Sequence, residues 1–197
     1  MAIKLTDNRK VFKTVYQLKT NTIGIVEIPD LTFLAIEGVG PLDILEKERK
    51  FGVFIKIQNQ LRSLTSKRLT YNFRQMPIEI EWNHENRNEE RSWTAMVQVP
   101  DLVDAALYEE ALDNVREKNR DKEYSIPNLL RQSQGLCAQK LHVGHWREAE
   151  TTIKQIETYV KDYGYKPKGL HREIYMSVRH MNPMEKWRTI IRVPLEI

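Results

Sequence analysis

Trp93 to Pro100 reads WTAMVQVP and Trp187 to Pro194 reads WRTIIRVP, so a tryptophan, five residues and Val-Pro recur 94 positions apart. The same displacement carries Glu79, in MPIEIEW, onto Glu173, in HREIYMS, across loops that differ wholly in composition. Self-similarity at a fixed offset marks one supersecondary unit used twice. The simplest layout is two modules of strand, helix, strand, strand, which predicts a pseudo-two-fold α+β domain with antiparallel sheets.

The chain is read as a single domain over residues 1–197, with module one at about 21–100, a helical connector at about 101–134 and module two at about 135–197. In module one, Ile23–Ile28 is a β-branched run ended by Pro29-Asp30, and Leu31–Glu37 is a second, closed by Gly38, Gly40 and Pro41. Gly144 has the part of Gly38 in module two. A helix follows, with Asp43 as a possible N-cap and Phe51, Phe54, Ile57, Leu61 and Leu64 on one face. Met76–Trp82 and the run from Trp93 form a hairpin around the polar stretch NHENRNEERS. Leu107, Ala111 and Val115 recur every four residues in the connector, as in a helix. Ala149, Ile153, Ile156, Val160 and Tyr163 set the second helix, which stops at Gly164. Residues 1–20 suit a short helix or an ordered arm.

Composition narrows the function classes. Hydrophobic residues are 41% and charged residues 29% of the chain, as in a folded domain. No apolar run approaches the roughly 18 residues of a membrane span, and MAIKLTDNRK lacks the apolar core of a secretory signal. Cys137 is the one cysteine, so no internal disulfide forms and a cytoplasmic setting is expected. The formal charge is +4, but acids and bases alternate, as in NVREKNRDKE, and no helix-turn-helix, zinc-finger or RNP-like pattern occurs. The expected partner is therefore a small molecule, with no direct nucleic-acid contact and no membrane. Cofactors are expected to be none and metals none: His142, His145 and Cys137 make no tight ligand set, and dinucleotide, NTP and nucleophile-elbow motifs are missing.

Strand alternation sorts the polar candidates. His171, Glu173 and Tyr175 share one face of GLHREIYM, and Arg172, Ile174 and Met176 the other; Glu79 and Glu81 oppose Ile78, Ile80 and Trp82. Helices need an apolar surface beneath them, so Ile78, Ile80 and Ile174 are expected toward the helical layer. Glu79, Glu81 and Glu173 then face a groove that attracts cations, the alternative being glutamates on an open sheet face. Trp82, Trp93, Trp146, Trp187 and Tyr71 fall at strand ends or turns, where aromatic faces bind flat or cationic ligands at roughly 0.5–2 kcal/mol per contact. For Trp93 and Trp187 the repeat suggests a packing role instead.

GLCAQKLHVGHW with its following helix, KGLHREIYMS and MNPMEKWRTIIRVPLEI resemble the C-terminal signature of the GyrI-like small-molecule-binding family. MPIEIEW, WTAMVQVPDLV and IPDLTFLAIEGVGP resemble its larger stand-alone members, so the resemblance covers about residues 20–197. It implies a SOUL/GyrI-like fold in which two pseudo-symmetric modules enclose a groove for bulky, aromatic or cationic ligands. By the resemblance, Glu173 matches the cation-facing acid of that groove, Arg172 stands where a second histidine is common, and Trp146 replaces the tyrosine of a GPY-like turn. Some stand-alone members hydrolyse the cyclopropane ring of DNA-alkylating natural products. The resemblance thus implies Glu173 as general base and Tyr175 as the hydroxyl beside it; with the strand faces and strand-end aromatics above, Glu79, Glu81, Trp82, Trp93, Trp146 and His171 are the expected ligand-binding residues. Binding without catalysis, and a protein-interaction role such as gyrase modulation, are the competing readings.

Overall fold

The two β-branched runs near the N-terminus form strands where the side-chain pattern sets them, and the rest of module one follows in the expected order. The computed structural model describes residues 3–18, 22–40, 50–82, 92–119, 125–177 and 182–196. After β1 (Leu5–Thr6), α1 (Asn8–Val11) and α2 (Lys13–Tyr16) come β2 (Gly24–Ile28), β3 (Leu31–Val39), α3 (Lys50–Leu69), β4 (Asn72–Phe73), β5 (Ile78–Trp82) and β6 (Ser92–Val99). The connector holds α4 (Ala105–Lys118) and β7 (Asn128–Gln132). Module two is β8 (Gly135–Val143), α5 (Ala149–Asp162), β9 (Lys166–Pro167), β10 (Arg172–Tyr175) and β11 (Arg188–Glu196). The N-cap expected at Asp43, the side chain of Phe51 and most of the polar turn after Trp82 lie outside the described residues. Asp104 caps α4, accepting the Leu107 amide, and Gly164, at φ 80°, ends α5 in the left-handed region that favours glycine.

One nine-stranded sheet joins the modules, in the order β2-β8-β11-β10-β5-β6-β3-β7, with β9 paired to β11. The seam is antiparallel β5 with β10: Glu81 faces Arg172, Ile80 faces Glu173 and Glu79 faces Ile174. At the two ends of that order the chain closes on itself. Ile28 of β2 faces Gly135 of β8, and three residues on, Leu31 of β3 faces Gln132 of β7. The register therefore runs unbroken across both bends, at Pro29-Asp30 and Ser133-Gln134, and the Ser133 hydroxyl donates to Ile28 O across the join. β2 of module one thus extends the strands of module two, and β7 of the connector extends those of module one.

The sheet has a helix face and an arm face. Ala138, Ile191 and Val193 pack with Ala149, Ile156 and Val160 of α5, which lies on β8 and β11. Ile191 is directly opposite Glu173, so Glu173 points to the helix face. The arm of residues 5–16 lies against the other face, where Asn8 donates to Gln98, the Tyr16 hydroxyl to Glu79, Gln139 to Thr14 O and Arg192 to Val15 O.

Two expectations need correction. Glu79 and Glu173 are not equivalent: Met96 and Ile190 keep the 94-residue offset, but their neighbours are Glu79 and Ile174, 95 apart. The hairpin of module two is one residue shorter, and a slip of one residue turns every side chain of a strand to the opposite face. Consequently Glu79, Glu81 and Ile174 lie on the arm face, while Ile78, Ile80 and Trp82 share the helix face with Glu173. No helix among the described residues is long and apolar enough to cross a membrane.

Candidate functional site

Alternation along β10 and the residue before it puts His171, Glu173 and Tyr175 in line on the helix face. Glu173 is flanked across the sheet by Ile80 and Ile191, two apolar neighbours, and is only 6% exposed. The Tyr175 hydroxyl donates to its Oε2 at 2.7 Å, and His171 Nε2 lies 3.3 Å from Oε1. A carboxylate offers about four acceptor positions, so with respect to the described residues about two stay open. Among the described residues no lysine or arginine pairs with it, which is uncommon for a buried acid.

Aromatic side chains stand at both ends of this line. One step beyond the Glu81–Arg172 pair the register sets Trp82 beside His171, and Trp82 is itself directly opposite Trp93. Both indoles are buried. Gly38 makes room for Trp93: a Cβ there would come within 2.2 Å of Trp93 Cζ2. A cavity of about 470 Å³ opens at this edge of the sheet, chiefly on the arm side: beside Trp93 and Gly38 it is lined by Glu37, Glu81 and Thr94 of the arm face and by Leu170, among others. At the Tyr175 end, the His145 ring lies between Trp146 and Trp187, at centroid distances of 5.1 and 5.4 Å. Tyr175 is opposite Thr189, which is opposite His142, and His142 is held by Thr152 of α5 and by His145 O. That histidine is structural, and among the described residues no group of three or more His, Cys, Asp or Glu could hold a metal.

Glu79 and Glu81 do not join this line. On the arm face they bind Arg172, whose guanidinium donates to Glu79 Oε2 at 3.1 Å and to Glu81 Oε1 at 2.6 Å, and also to Gln132. Arg172 lies 5.1 Å from the centre of the Phe33 ring, and its side chain is 1% exposed. Next to it Arg192, fully buried, donates to Gln139, Gln134 and Val15 O. Two acids and two arginines therefore offset one another inside the fold, so the expected surplus of acid is cancelled there. Burial, then the Glu79 charge, pushes the Tyr16 hydroxyl well above the usual phenol range. Burial likewise raises the Cys137 thiol to about 11, which removes it as a nucleophile. Sequence reasoning gave Arg172 and Arg192 no role in the core; their only signal was position, an arginine alternating with aliphatics on a central strand.

The folded architecture defines an α+β protein of GyrI-like fold, built on one large antiparallel sheet with a buried acid, Glu173, on its β5–β10 seam. More particularly, the chain is similar over its whole length to two solved structures from Listeria innocua. One, an uncharacterized conserved protein, has 25% identity and a TM-score of 0.88, covering 97% of this chain and 100% of that one. The other, a hydrolase, has 26% identity and a TM-score of 0.87, covering 98% and 100%. The C-terminal domain of EcmrR shares the fold at 14% identity and a TM-score of 0.51, covering 89% of this chain and 97% of that domain. No protein-family model and no curated protein sequence matches the chain.

Proposed function

We propose that this protein is a hydrolase that binds bulky aromatic or cationic xenobiotics on the helix face of β10 and opens reactive cyclopropanoid compounds by adding water. The observation that carries the reading is Glu173, a buried carboxylate held by Tyr175 and His171 with no lysine or arginine partner among the described residues. Similarity to the Listeria innocua hydrolase supports it.

In the proposed reaction one of the open acceptor positions of Glu173 takes a proton from water as the water oxygen bonds to a carbon of the strained ring. The ring C–C bond breaks, and its electron pair moves into the conjugated carbonyl as an enolate. The proton held by Glu173 then passes to that enolate, so the product is substrate plus one water and the carboxylate is regenerated. Tyr175 and His171 keep the carboxylate oriented, which lowers the reorganisation required at the moment of attack. A strained, conjugated ring is already activated, so one positioned base suffices. Trp146 and Trp187, half-buried at the Tyr175 end of the line, offer stacking faces for a flat substrate.

The test is mass-resolved incubation with a cyclopropanoid alkylating agent. Wild type should yield a ring-opened product heavier by the mass of one water, over many turnovers, and Glu173→Gln should yield none while still quenching tryptophan fluorescence on binding. Turnover by Glu173→Gln removes Glu173 as the base; quenching without turnover by wild type leaves a binding protein.

A further inference from the structure

The helix face holds a second polar feature that the acid does not explain. Gln58 of α3 is 1% exposed, yet neither Nε2 nor Oε1 of its carboxamide has a hydrogen-bond partner among the described residues. Burying an amide without partners costs on the order of 1–3 kcal/mol, so a group of this kind calls for an explanation, and a role in binding is one. The indole Nε1 of Trp82, also 1% exposed, is likewise unpartnered among the described residues.

The place of Gln58 on its helix says where it points. Lys56 Nζ donates to Asn119 and the Arg68 guanidinium to Glu110, so α3 turns the flank containing those two residues toward α4. At 100° per residue the middle of that flank falls at Val53 and Leu64, and Gln58 lies roughly 140° around from it. The connector returns from α4 to β7, which pairs with β3, and the Tyr108 hydroxyl of α4 donates to Pro127 O just before β7. Helix α4 is therefore anchored beside β7, and the Gln58 flank of α3 is the one turned away from it, the side on which the β5–β10 seam lies in the strand order. Phe54 and Leu61, one turn before and after Gln58, share a core with Ile80 and Trp82 of that seam. Directly across from Ile80 is Glu173.

We infer that Gln58 is a substrate-binding residue, whose carboxamide hydrogen-bonds a carbonyl-bearing polar edge of the ligand on which Glu173 acts. Its Nε2 supplies the donor that a conjugated carbonyl gains most from as negative charge develops there, and the Trp82 indole N–H is a second donor on the same face. This rests on the reading of Glu173 given above and adds the group that would recognise the substrate rather than attack it.

Gln58→Met tests it, because methionine keeps the length of the side chain and removes both polar atoms. Two measurements are made on the full chain: thermal unfolding, and fluorescence titration of a cyclopropanoid alkylating agent in the Glu173→Gln background, where no turnover interferes. The expected result is an unchanged or higher Tm, since an unsatisfied amide is lost, together with binding weakened at least tenfold. In the Glu173-containing protein, kcat/KM should fall by at least the same factor. Equal affinity with and without the Gln58→Met substitution overturns the role of Gln58 alone. A lower Tm with unchanged affinity makes it a packing residue and overturns the inference as well. Wild type that neither binds nor turns over the agent overturns the reading of the Glu173 line, and the Gln58 inference falls with it.

Discussion

Arg172 does the most for the interior of any single residue. Its guanidinium answers two carboxylates, one of them fully buried, and alternation along β10 puts it back to back with Glu173. Removing one member of such a pair leaves a charge in a place that cannot solvate it, which costs about 3–5 kcal/mol, far more than the pair itself contributes relative to an apolar replacement. Arg172→Met should therefore lower the unfolding free energy by about that much in urea titration, and Arg172→Met with Glu79→Gln should recover a measurable part of it. Additive losses would show that the two side chains do not share the energy that their geometry assigns them. The alternation of HREIYM made the separation of Arg172 from Glu173 legible in the sequence. What Arg172 binds was not, because that depends on β5 pairing with β10 in a particular register.

Among the elements, the arm of residues 5–16 has the least conspicuous sequence and a central position. Its short helices bring Tyr16 against Glu79 and the backbone of Thr14 and Val15 against Gln139 and Arg192. Tyr16→Phe removes a buried hydrogen bond to an ionised group and should cost roughly 1–3 kcal/mol. It should also change the alkaline limb of the stability profile. Tyr16 holds its proton in the fold well above pH 10, whereas the unfolded residue releases it near 10, so above that pH the unfolded state binds fewer protons. Stability from this group is full below about pH 10 and falls as pH rises further, and Tyr16→Phe should show a shallower fall. Identical alkaline slopes in the two proteins would detach Tyr16 from the buried network.

At the scale of the whole molecule, the two modules cannot unfold independently. β2 of module one completes the sheet beside β8, β7 lies beside β3, and β5 is bonded to β10. Opening either module breaks ladders that hold the other, so the chain should unfold as one cooperative unit despite its internal repeat. Tryptophan fluorescence, which reports Trp82 and Trp93 in one module and Trp146 and Trp187 in the other, should change with the same urea midpoint as far-UV circular dichroism. Separate midpoints would mean that the shared sheet does not couple the halves.

The repeat of W-x5-V-P, the helix stripes and the β-branched runs were sufficient to read the helices and the long strands, because local periodicity depends only on neighbours along the chain; β7, in a connector read as helical, was missed, since its strand character comes from pairing with β3. The line of His171, Glu173 and Tyr175 was legible for the same reason: alternate residues of one strand share a face. Tertiary structure alone decided which face that was and what stood beside it. A hairpin shorter by one residue put Glu79 and Glu81 on the side opposite Glu173, gave them to Arg172, and brought Trp82 to the helix face instead. Register between strands far apart in sequence is set by the closure of the whole sheet, and a single residue of slip there reverses every inward and outward assignment that alternation makes.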